Sequence, residues 1–139
     1  MTDANQAQPP ARPERLAPPA GEIRMLDAQS LAKLALMDPT GSNQLMARVL
    51  RTYSGSLQRL LAQLVAARQP FDPAALKLCT HTLKSSSASI GALELSALCA
   101  TAESALRDGR FDALTAILDD LEIEAGCVNA AVHQQLLLT

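Results

Sequence analysis

At 139 residues the chain holds one domain of ordinary size, which excludes a two-domain enzyme. Hydrophobic residues make up 48% and aromatics only 2%, so the core has to be aliphatic, which favours packed helices over a sheet. A formal net charge of -2 supplies no basic field for nucleic acid, and no stretch nears the roughly 20 uninterrupted apolar residues of a membrane span. Pro9, Pro10, Pro13, Pro18 and Pro19 crowd the start of the chain among Ala, Gln and charged residues, so residues 1–24 are expected to be a disordered tail and residues 25–139 the folded domain. From Asp27 the spacing turns helical: Leu31, Leu34 and Leu36 mark a short helix that Asp38, Pro39, Thr40 and Gly41 break. Met46, Val49, Leu50, Tyr53, Leu57, Leu60, Leu61 and Leu64 then form one apolar stripe, a helix of about 22 residues. Asp72 and Pro73 open a third helix, an N-cap acceptor followed by a residue whose missing N–H is not needed at the first helical position. It should run to about Ile90, where Gly91 either closes the helix or lets two backbones approach. Leu95, Leu98, Ala102 and Leu106 stripe the next helix, ended by Asp108 and Gly109. Leu114, Ile117, Leu118, Leu121, Ala125, Val128 and Val132 stripe the last. Short loops between four long amphipathic helices predict an all-α, up-down-up-down antiparallel four-helix bundle with a short extra N-terminal helix.

Residues 85–89 (Ser, Ser, Ser, Ala, Ser) are poor helix formers, and a flexible loop is one reading. Leu83 and Ile90 keep register through the run, however, so a helix surface of small side chains, open to close approach, is the better one. With about 100° per residue and Leu83 as origin, Leu76 and Ile90 fall within roughly 20°, and Cys79, Thr80, Ser86 and Ser87 within about 60°, which defines the core face. His81 lies about 160° away, beside Ser85 and Ala88, with Lys84 and Lys77 on the flank. A histidine on the polar face is either incidental or chemical. Imidazole, with an ordinary pKa of about 6.5, is a nucleophile near neutrality and can carry a phosphoryl group. Such an anion has to stay exposed, and Lys84, one turn on, is placed to offset its charge.

Cys79, Cys99 and Cys127 are odd in number and form no CxxC pair, which argues against a disulfide framework and for reduced thiols in a cytoplasmic chain. His133, the other histidine, is assigned no role, and the histidine and cysteine spacing disfavours a zinc or haem site. No glycine-rich loop is present to cradle ATP phosphates, so autokinase activity is not expected. Arg48, Arg51, Arg59 and Arg68 fall in a stretch without acids, while Asp108, Asp112, Asp119, Asp120, Glu122 and Glu124 gather late. These charges are either ordinary solvated faces or, on the basic side together with Lys77 and Lys84, a means of steering an acidic partner.

The run from His81 through Thr82, Leu83, Lys84, Ser85, Ser86, Ser87, Ala88, Ser89 and Ile90 to Gly91 and Ala92, followed by Leu95, Leu98, Cys99 and Glu103, resembles the signature of the histidine-containing phosphotransfer (HPt) domain of bacterial multistep phosphorelays. The resemblance spans roughly residues 28–125 and implies a helical bundle. It implies further that His81 accepts a phosphoryl group, on its outer ring nitrogen, from a receiver-domain aspartyl phosphate of a hybrid kinase and passes it to a response regulator. Lys84 matches the family lysine that helps hold the phosphoryl group or the partner. Lys77, Ser85, Ala88 and Glu103 are expected at the docking face, Glu103 where many members carry Gln or Glu. Ser85 stands where the family usually has glycine. No cofactor or metal of the chain's own is implied, Mg²⁺ being supplied by the receiver; a monomer binding receivers, without nucleic acid or membrane, is expected. A helical adaptor that binds a receiver or kinase without transfer is the alternative, but it would need neither His81 nor Lys84. The Pro-rich leader suits a free-standing protein as well as the end of a longer hybrid kinase.

Overall fold

The periodicities become five helices in the computed structural model of the chain, which describes residues 26–41 and 44–138. They are α1 (Ala28–Leu36), α2 (Leu45–Arg68), α3 (Pro73–Ser89), α4 (Leu93–Arg107) and α5 (Phe111–Leu137), and no strand occurs among the described residues. The expected tail, residues 1–24, lies outside the described residues.

Local chemistry sets the helix ends. Asp27 caps α1 by accepting from the Ser30 N–H at 3.0 Å, and Asp72 caps α3 by accepting from the Ala75 N–H at 3.2 Å, with Pro73 at the first helical position. Gln44, which precedes α2 in a left-handed conformation, offers no side-chain cap. Asp38 supplies one from across the turn, its Oδ2 accepting from the Leu45 N–H at 3.1 Å, so the residues that stop α1 also start α2. Gly91 fills both roles its position allowed. At φ 85° it closes α3, the Ala92 N–H reaching Ser87 O at 2.8 Å and its own N–H reaching Ala88 O at 3.1 Å. Its carbonyl also accepts from the Asp27 N–H at 2.7 Å, tying the start of α1 to the α3–α4 turn.

Each long helix packs on the next, and α5 returns to α2, which closes an antiparallel bundle with α1 laid on α2. Leu50, Leu57 and Leu64 of α2, Leu76 and Leu83 of α3, Leu95 and Cys99 of α4, and Leu121, Val128 and Val132 of α5 are buried at its centre. Burying one such leucine contributes about 2 kcal/mol, and the ring of them outweighs the weak helix propensity of the serine run.

That run is helical to Ser89, not a loop, and three of its hydroxyls find partners. Ser87 is fully buried against the Tyr53 hydroxyl at 2.8 Å, Ser86 donates to Leu83 O at 3.4 Å, and Ser89 donates to Ser85 O at 3.1 Å. Between α2 and α5, Ser54 Oγ donates to Asn129 Oδ1 at 2.9 Å, accepts from Gln58 Nε2 at 3.2 Å and lies 3.2 Å from His133 Nε2, which uses its one proton and both lone pairs. His133 therefore holds two helices together. Arg68 pairs with Glu122 at 2.6 Å and Asp119 at 3.0 Å on α5. This corrects the steering reading for Arg68, whose charge is satisfied inside the molecule, while Arg48, Arg51 and Arg59 remain exposed.

Candidate phosphoryl-acceptor site

His81 sits midway along α3 on the face opposite the buried Leu76 and Leu83, its side chain 63% exposed. The neighbouring helix α4 brings Glu103 beside it. Glu103 Oε2 lies 2.8 Å from His81 Nδ1, and Oε1 lies 2.6 Å from Lys84 Nζ. His81 and Lys84 are one helical turn apart, so a single carboxylate spans both.

The carboxylate decides which imidazole nitrogen is available. The hydrogen bond from Lys84, and then that from His81, holds the Glu103 carboxyl below the usual carboxylate range, so it is ionised at neutral pH. An ionised carboxylate has no hydrogen to give, hence His81 Nδ1 is the donor. In the neutral ring Nε2 then carries the lone pair, on a side chain that is mostly in solvent. Glu103 is thus an internal partner of His81 and Lys84, not simply part of an outer docking face. Lys84 is half-buried and held by Glu103 rather than free.

Pro73, Ala74, Lys77, Leu78 and Leu106 line an open concavity that ends on His81 and Glu103. Lys77 is where its spacing put it. Ser85 and Ala88 are exposed, but on the C-terminal side of His81 and off this concavity. Leu78, 66% exposed, is the wall that sequence reasoning passed over. Its signal was a leucine off the apolar stripe, one turn before the histidine.

Cys79, Cys99 and Cys127 are free, the first two buried, and burial pushes the Cys99 thiol up to about 12. Among the described residues no group of three or more His, Cys, Asp or Glu side chains is placed to hold a metal ion, and no helix is long and apolar enough to cross a membrane.

The family profile of the Hpt domain matches residues 48–135, a stretch that includes His81, Lys84 and Glu103. In structure the chain is similar to histidine-containing phosphotransfer protein B from Pseudomonas aeruginosa, with a TM-score of 0.74 and 25% sequence identity, covering 85% of this chain and 99% of that one. No curated protein matches it in sequence.

Proposed function

The chain belongs to the Hpt domain family, the phosphocarriers of phosphorelays, and from that premise we propose that His81 is its phosphoryl acceptor, through Nε2. Supporting this is the Glu103 contact at 2.8 Å on Nδ1, which fixes the tautomer and leaves the outer nitrogen nucleophilic and exposed. The lone pair of Nε2 attacks the phosphorus of a receiver's aspartyl phosphate. The bond from phosphorus to the aspartyl oxygen breaks, and its electron pair stays with the aspartate carboxylate. The phosphoryl group then passes from His81 to the aspartate of a response regulator by the reverse chemistry.

The bundle contributes a rigid, oriented nucleophile, and rigidity replaces the entropy that a free imidazole would lose on reacting. Mg²⁺ belongs, on this reading, to the receiver's acidic pocket, where it offsets charge on the phosphoryl group in flight. Lys84 holds Glu103 and stands one turn from the acceptor, near enough for its charge to favour the arriving dianion. His81, Lys84 and Glu103 all come from one chain, so a monomer presents the whole site, in the cytoplasm where receivers meet it.

Incubation with a phosphorylated receiver and Mg²⁺ should label the protein with acid-labile, alkali-stable phosphate. The label should vanish in His81→Gln, and Lys84→Ala should slow transfer about tenfold with the fold intact, an effect of the size expected for losing one charge-assisted contact. Label that persists in His81→Gln would remove His81 from the chemistry. A chain that binds receivers yet takes no label would be an adaptor.

A further inference from the structure

Phosphoryl transfer to His81 leaves a proton on the other ring nitrogen, and Glu103 faces that proton. When Nε2 attacks, the bond to phosphorus forms at Nε2 while Nδ1 keeps its hydrogen, so the phosphorylated ring is cationic and no proton has moved. Onward transfer reverses this: the N–P electron pair returns to Nε2 and the ring departs as neutral imidazole. A ring that has lost its Nδ1 proton to water would have to depart as the imidazolate anion, a much stronger base and a poor leaving group. An imidazolium releases its second proton near neutral pH, so the protein has reason to intervene.

Resting on the phosphocarrier reading above, we propose that Glu103 is a positioning residue that keeps the Nδ1 proton on phosphorylated His81 at neutral pH, and thereby keeps the phosphoryl group transferable. Among the described residues, the charged side chains around the ring are Lys77 and Lys84 from α3 and Glu103 from α4, and the phosphoryl group adds its own negative charge on the Nε2 side. Both lysines oppose a cationic ring, and Lys84 is ion-paired with the carboxylate at 2.6 Å. Glu103 is the anion in direct contact, and at 19% exposure it is far less solvated than the 63% exposed imidazole, so water competes weakly for its oxygen. A glutamine here would still accept the hydrogen bond from Nδ1–H and orient the ring. Only the glutamate adds the charge that holds the proton once the ring becomes cationic.

The full chain and its Glu103→Gln and Lys84→Gln variants can each be phosphorylated with phosphoramidate, a small donor that needs no receiver. Phosphorus NMR against pH then reports where the phosphorylated ring gives up its Nδ1 proton. In Glu103→Gln this midpoint should fall by about one pH unit or more, a tenfold loss of proton affinity. Transfer from that variant to a receiver should be slowed above neutrality and converge with wild type on the acid side. Lys84→Gln, which removes a nearby cation, should keep or raise the midpoint. Equal midpoints in wild type and Glu103→Gln would overturn the proposal, as would an equal fall in Lys84→Gln, which would signal loss of the site's packing. Wild-type protein that takes no phosphoryl group from phosphoramidate would defeat the carrier reading itself, and this inference with it.

Discussion

Tyr53 and Ser87 face each other across the α2–α3 interface with hydroxyls 2.8 Å apart, each the other's answer to burial. Desolvation pushes the phenol from its ordinary 10.0 up to about 12, because the core disfavours the phenolate. Below about pH 10 folded and unfolded chains both hold the neutral phenol, and above it the unfolded chain ionises first, so stability is lost as pH rises from about 10 to about 12. The chain has 1 Tyr and no Trp, so phenolate absorbance reads this side chain alone. A midpoint near 12 in the folded protein is expected, falling to about 10 in denaturant. A folded midpoint of about 10 would show that water reaches the hydroxyl. At this scale His81 and Lys84 were legible from their spacing along one helix. The work of Glu103 was not, because its bond to His81 joins residues 22 apart and depends on how α3 and α4 slide against each other. Sequence periodicity fixes a face, not that register.

Gly91 is the element-scale counterpart, one residue on which α1, α3 and α4 all depend. A Cβ there would lie 2.6 Å from the Asp27 backbone nitrogen and 3.0 Å from its oxygen, at a φ of 85° that side chains rarely adopt. Left-handed backbone alone costs a non-glycine residue about 1–2 kcal/mol, and the clash falls on backbone that cannot swing aside. Gly91→Ala should therefore destabilise the domain by about 2 kcal/mol or more and detach α1, read as a lower melting temperature and faster amide exchange at Asp27. Unchanged melting would mean that the α3–α4 turn has another way to close. The same caps explain why helix positions were readable. Asp72 and Pro73 announce α3 in the sequence, whereas no side-chain cap at Arg110 marks the start of α5, which begins at Phe111, ahead of the first stripe residue Leu114. The cap of α2 escaped notice for a related reason: Asp38 acts over a seven-residue gap, beyond the reach of local rules. Arg68 was legible as a charge but not as a clasp, since Glu122 and Asp119 meet it only when α5 returns to α2.

In the whole molecule, the proposed acceptor nitrogen of His81 is flanked by two unlike neighbourhoods along α3. Toward the N-terminus of the helix lies the concavity of Pro73, Ala74, Leu78 and Leu106, and toward its C-terminus the small exposed Ser85 and Ala88. A receiver that brings its phosphorylated aspartate onto Nε2 has to cover both, but the two should contribute differently. An apolar wall such as Leu78 gains by leaving water, whereas Ser85 only has to stay out of the way. Leu78→Asp should thus slow transfer from a receiver about tenfold or more, the effect of losing about 1.4 kcal/mol at a contact. Ser85→Arg should impair docking through bulk, and both variants should melt close to wild type because both positions are exposed. Phosphoramidate, which needs no docking surface to reach His81, should label all three proteins at comparable rates. That comparison separates docking from chemistry: slow labelling of Leu78→Asp by phosphoramidate would move Leu78 from the partner's footprint into the support of His81, and normal transfer from a receiver would place the footprint elsewhere on the bundle.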